Sequence, residues 1–82
     1  MIQYREEIPL LLTGQTAIIR NVMTTVIVIN LPEGTVTIRS NTGFQLFDAA
    51  IEDLVFICPI RNIPYTLTLT GDTTKPLSRT FI

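Results

Sequence analysis

The chain has 82 residues, enough for one domain and one core, and 46% of them are hydrophobic against 16% charged, far from the polar, highly charged composition of disordered segments. Six basic and seven acidic residues give a formal net charge of −1, which excludes a polybasic or polyacidic surface and with it strong long-range attraction to nucleic acid or anionic lipid. Histidine is absent and Cys58 is the single cysteine, so the commonest general base, the usual transition-metal ligand and any internal disulfide are excluded together.

The opening Met1-Ile2-Gln3-Tyr4-Arg5-Glu6-Glu7 places acidic residues where a secretory signal needs a positive stretch, and the chain is expected to be made and used without export. Residues 1–7 read as an N-terminal arm. Threonine, isoleucine and valine then dominate, with glycine or proline about every ten residues, the punctuation of short antiparallel strands. Strands are predicted over Ile8–Leu12, Thr16–Met23 and Thr24–Asn30, with a break at Thr13-Gly14. Leu31-Pro32-Glu33-Gly34 supplies a proline of fixed φ and a glycine able to take positive φ, which predicts a tight turn into a strand over Thr35–Ser40. Asn41-Thr42-Gly43 marks another turn before a strand over Phe44–Phe47. The segment Asp48-Ala49-Ala50-Ile51-Glu52-Asp53-Leu54 is the one helix candidate, of one or two turns, with Asp48 as its cap. Strands follow over Leu54–Cys58, Tyr65–Thr70 and Leu77–Ile82, with a longer polar loop over Thr70–Pro76. The expected fold is all-β, a small antiparallel β-sandwich, jelly roll or barrel of about seven or eight short strands, with at most one short helical turn near 48–54. Residues 1–82 form one domain, and 77–82 read as a C-terminal arm.

The strands fall into two kinds. Thr35, Thr37 and Arg39 alternate with Val36 and Ile38, and Thr66, Thr68 and Thr70 alternate with Tyr65, Leu67 and Leu69, which predicts one wet and one core face for each. Thr24–Asn30 and Leu54–Cys58 are apolar on both faces. A chain of this length buries about 60–65% of its unfolded surface, so the second apolar face is expected to be covered by association; the competing reading is that loops and the small helical turn cover it. The contact residues expected from this argument are Val26, Val28, Val55, Ile57, Phe81 and Ile82, with Arg39 and Arg61 as polar anchors at the rim.

Candidate chemistry is sparse. Cys58 sits in an apolar run before Pro59, the place of a structural thiol rather than a nucleophile. Lys75 and Ser78 are close in sequence, but nothing around them desolvates the lysine. Asp48, Glu52 and Asp53 form the one carboxylate cluster, without the Asp/Asn ladder and central glycine of a calcium loop. The arginines do not interleave with aromatic residues as a base-stacking platform requires. No catalytic, cofactor or metal residue is assigned. The longest apolar runs, Pro9–Leu12 and Leu54–Ile60, fall short of the roughly 20 residues that span a bilayer, so no transmembrane helix is expected.

With its short length, strands such as Thr66-Leu67-Thr68-Leu69-Thr70, absent histidine and apolar ends such as Thr80-Phe81-Ile82, the chain resembles in character the small all-β structural proteins of tailed-phage virions, such as capsid decoration or cement proteins. That resemblance implies a dimer or trimer bound to a coat-protein lattice, a virion location after synthesis in the host cytoplasm, and no enzymatic activity; it transfers no functional residue. Two other readings stand beside it. One is a soluble β-barrel binding module for nucleic acid or a small ligand, and the other is a different phage component such as a head–tail or fibre-attachment protein. Without histidine or a convergent polar site, a minimal enzyme has the least support.

Overall fold

The computed structural model describes residues 10–82. Over that range the protein is all-β, with seven strands and a single short 3-10 turn: β1 Thr16–Ile19, β2 Val22–Asn30, β3 Thr35–Ser40, β4 Leu46–Ala50, the turn Ile51–Asp53, β5 Val55–Ile57, β6 Pro64–Leu69 and β7 Leu77–Phe81. All pairings are antiparallel, and the strands form one sheet in the order β4-β3-β2-β1-β5-β6-β7. Two meanders are thus joined through β1 and β5. The 3-10 turn carries the chain from the outermost strand β4 back to the centre of the sheet. Among the described residues no helix is long and apolar enough to cross a membrane.

One face of this sheet is the core. Ala17, Val26, Val36, Ile38, Phe56, Tyr65 and Leu67 are fully buried on it, joined by Ile51 from the 3-10 turn and by Leu54 and Cys58 from the ends of β5. The two halves curl toward this face. The Ile51 N–H donates to the Gly34 carbonyl at 2.9 Å, and the Glu52 carboxylate accepts from the Leu69 N–H at 2.8 Å, so the 3-10 turn ties the β2–β3 hairpin to β6. Curling lets a sheet of short strands cover one apolar face without a second layer.

Turn chemistry explains the hairpins. Gly34 has φ 68°, and its N–H closes the turn on the Leu31 carbonyl at 3.0 Å. A Cβ added there would also lie 2.6 Å from the Leu69 Cδ1. Gly34→Ala is therefore expected to destabilise by about 1–2 kcal/mol, chiefly from the left-handed backbone because the Leu69 tip is free to swing aside; a urea midpoint unchanged from the parent would contradict this. The β1–β2 hairpin turns on Arg20 and Asn21, both at positive φ (49° and 65°), the two-residue turn whose twist matches antiparallel strands.

Several sequence expectations need correction. The predicted strand Thr16–Met23 is broken by that Arg20-Asn21 turn, which lacks the glycine that usually marks such turns. Ile8 and Pro9 lie outside the described residues, as does the arm 1–7, but Leu10–Leu12 are not a strand. Part of their backbone is taken by side chains instead: the Leu10 carbonyl accepts from Tyr65 Oη at 2.8 Å, and the Leu12 N–H donates to Gln15 Oε1 at 3.2 Å. Phe44 precedes β4 and is almost fully exposed, so that strand begins at Leu46. Asp48 caps no helix. It lies on β4 opposite Thr37, whose hydroxyl donates to its carboxylate at 2.7 Å, and the 3-10 turn starts after Ala50 with no side-chain cap. Pairing of Asp48-Ala49-Ala50 with β3 outweighs the helix preference of two alanines.

Candidate interaction surfaces

The register decides what each residue presents. Val26 pairs with Ile38 but Val28 pairs with Thr37, so Ile27 is an extra residue bulged out of the ladder. The bulge reverses the phase of β2: Val26 points into the core with no exposure, whereas Val28 points to the outer face and is 52% exposed. Val26 therefore has no surface to offer a partner, and its assignment as a contact residue is withdrawn. Two-residue spacing on a strand implies a shared face only where the ladder is regular.

Of the other residues expected at an interface, Val28, Val55, Ile57 and Arg39 share the outer face. Val55 pairs with Ile18, Ile57 with Pro64, and Arg39 with Thr25 and Leu46. Because Ile18 also pairs with Met23, an apolar row runs Met23, Ile18, Val55 across β2, β1 and β5 and continues to Ile57 and Pro64. Val55 and Ile57 are partly buried, and Met23 is exposed. Arg61 is exposed in the turn between β5 and β6.

Phe81 lies elsewhere. It sits on the core-side face at the outermost strand β7, edge-on to Tyr65 with ring centroids 6.0 Å apart, and is half exposed. Arg79 lies over both rings, 4.9 Å from the Phe81 centroid and 5.6 Å from that of Tyr65, a cation–π sandwich. Its Nη1 is buried without a hydrogen-bond partner. Ile82 is exposed while its N–H is held by the Pro64 carbonyl at 3.2 Å.

The opposite end of the sheet shows more apolar surface than the sequence suggested. Phe44, Leu46, Phe47 and Val22 are exposed around β4, and a groove of about 450 Å³ opens there, lined by Ile19, Val22, Phe47 and Ala49 with Arg20, Asp48 and Asp53 among its polar residues. The signal that finds the exposure of Phe44–Phe47 is its place at the end of the sheet, which pairing alone reveals.

The polar groups mostly have structural work. Gln15, which no sequence signal singled out, is buried; its amide donates to the Ile57 carbonyl at 3.1 Å and to Tyr65 Oη. Burial of Tyr65 pushes its phenol above the ordinary tyrosine value, with the Gln15 hydrogen bond acting in the opposite sense. Asp72, in the loop between β6 and β7, is held below the usual carboxylate range by the Thr74 backbone N–H and hydroxyl. Cys58 is buried. Among the described residues no three His, Cys, Asp or Glu side chains gather as a metal site would require. No family model, curated protein or solved structure matches the chain.

Proposed function

We propose that this protein is a non-enzymatic structural subunit that works by adhering to neighbouring protein surfaces, as a capsid decoration or cement protein of a tailed-phage virion does when it bridges subunits of a shell. The observation that supports the reading most is where the large apolar side chains stand once the core is closed. Phe44, Leu46 and Phe47 are exposed at one end of the sheet, Phe81 and Ile82 at the other, and Met23 and Val28 on the outer face between them. Where such side chains are contiguous, as at Phe44, Leu46 and Phe47 and along the row Met23, Ile18, Val55, they form the kind of apolar patch that marks an interaction surface. The polar groups, meanwhile, are engaged in turns and ladders rather than converging on one point where a substrate would sit.

The test is the solution mass of the purified protein over a concentration series, for the parent chain and for Val28→Asp and Ile57→Asp. A dimer or trimer in the parent, weakened about ten-fold or more by either aspartate while the circular dichroism spectrum is unchanged, is the expected result. A parent that stays monomeric to about 1 mM would shift the reading to a monomeric binding module, with the groove beside β4 as its first candidate site.

A further inference from the structure

We propose that copies of this chain join head to tail through the two ends of the sheet, with β4 of one copy pairing antiparallel to β7 of the next. This rests on the assembly reading above and names the contact that joins like to like.

Among the described residues β4 and β7 each have one strand neighbour, so each presents a row of unpaired backbone groups. Which groups these are follows from the hydrogen bonds that bracket each ladder. Ile51 N–H to the Gly34 carbonyl makes that pair a hydrogen-bonded one, and the alternation continues to Val36–Ala49 and Ile38–Phe47. The N–H and C=O groups of Leu46, Asp48 and Ala50 therefore point away from β3, toward open solvent. On the other side, Thr70 N–H bonds to the Pro76 carbonyl and Ile82 N–H to the Pro64 carbonyl, so Thr68–Ser78 and Thr66–Thr80 are the hydrogen-bonded pairs and Leu77, Arg79 and Phe81 aim their backbone groups outward.

Two outward rows of three residues, each on a five-residue strand, match in one full-length antiparallel register: Leu46 opposite Phe81, Asp48 opposite Arg79, and Ala50 opposite Leu77. About six main-chain hydrogen bonds close it. In the same register the side chains of all three pairs lie on one face, apolar, oppositely charged, apolar. The alternatives of equal length are unfavourable, because β4 against its own copy sets Asp48 opposite Asp48, and β7 against its own copy sets Arg79 opposite Arg79. Like charges guard each edge against itself while opposite charges admit the other edge. Arg79 is also held in place, its guanidinium lying over the Tyr65 and Phe81 rings, so the charge that would stand opposite Asp48 is fixed at the edge.

A heterologous contact of this kind does not stop at a dimer; it closes into a ring or runs on as a filament. Because Leu46, Asp48 and Ala50 stand on the outer face and Leu77, Arg79 and Phe81 on the core-side face, successive copies in such an array turn opposite faces to the same side.

The experiment is charge reversal with mixing, read as solution mass by light scattering. Asp48→Arg and Arg79→Asp chains are each expected to associate about ten-fold or more weakly than the parent, and an equimolar mixture of the two is expected to recover the parent mass, since every contact in the alternating array is again opposite in sign. Should Arg79→Asp fold poorly, chains carrying Asp48→Cys and Arg79→Cys replace the pair. On mixing and mild oxidation they are expected to give the mixed disulfide in excess over either like-with-like product, because a hydrogen-bonded antiparallel pair brings Cα atoms to about 5.5 Å. Single reversals that keep the parent mass, or that raise it, would overturn edge pairing. If Val28→Asp or Ile57→Asp dissociates the same sample, the assembly reading survives without the edge contact; a parent monomeric throughout removes both.

Discussion

Val26→Asp is expected to leave the chain unfolded, while Val28→Asp is expected to fold with a stability within about 1 kcal/mol of the parent. The two valines stand two positions apart in one strand and look equivalent in sequence. Val26 is fully buried opposite Ile38, so an aspartate there forfeits about 1.5–3 kcal/mol of apolar burial and buries a carboxylate with no partner, which costs several kcal/mol more. The sum matches or exceeds the roughly 4–12 kcal/mol total stability expected at this length. Val28 is half exposed opposite Thr37, where a charged side chain stays hydrated. Far-UV circular dichroism and a thermal melt of both variants decide the matter. Equal behaviour of the pair would mean that Ile27 is not bulged and that β2 keeps a regular alternation.

Gln15→Ala is expected to cost about 2–4 kcal/mol, read as a fall in the urea midpoint. The substitution strips the Ile57 carbonyl and the Leu12 N–H of their partner and removes the donor to Tyr65 Oη, and each buried group left unsatisfied costs about 1–3 kcal/mol. Because Tyr65 Oη passes the chain on to the Leu10 carbonyl, this network pins the segment before β1 onto β5 and β6. Tyr65→Phe in the Gln15→Ala background is then expected to cost less than it does alone, since the two residues share one network. The phenol adds a pH signature. Its value is raised by burial in the folded chain, whereas the unfolded chain ionises at about 10, so the neutral phenol's contribution is fully present below that pH. It is lost as pH climbs from about 10 through the higher folded-state value. Stability measured between pH 8 and 11 is expected to fall more steeply for the parent than for Tyr65→Phe; parallel curves would remove Tyr65 from the account.

These effects also say why a core this small holds. The inner face is closed by residues from six of the seven strands and the 3-10 turn, so the ends of the sheet are left with large side chains half in and half out. At both ends an exposed phenylalanine accompanies a charge, Phe47 with Asp48 and Phe81 with Arg79. An end of this composition resists pairing with itself and remains able to accept a strand of opposite charge.

Much was legible beforehand from local chemistry. The alternation in Thr35–Arg39 and Tyr65–Leu69 assigned Val36, Ile38, Tyr65 and Leu67 to the core correctly, since a regular strand places every second side chain on one face, whereas Leu69 at the strand's end is exposed. The Leu31–Gly34 turn was legible because proline and glycine carry their backbone preferences wherever they stand. Thr/Ile/Val-rich segments punctuated by glycine or proline were enough for an all-β chain, and the short helical turn expected near 48–54 is the 3-10 turn Ile51–Asp53. What only the tertiary structure decided was phase and neighbourhood. The Arg20-Asn21 turn and the Ile27 bulge each depend on a partner strand holding the backbone in a conformation that the local residues merely tolerate, and together they determine which side of β2 faces the core. Asp48-Ala49-Ala50 became an outermost strand because pairing with β3 was available, whereas a two-turn helix makes too few hydrogen bonds to offset the cost of its nucleation in water. Sheet order, and so the identity of the two ends, is a contact between residues far apart in sequence, and no local preference encodes it.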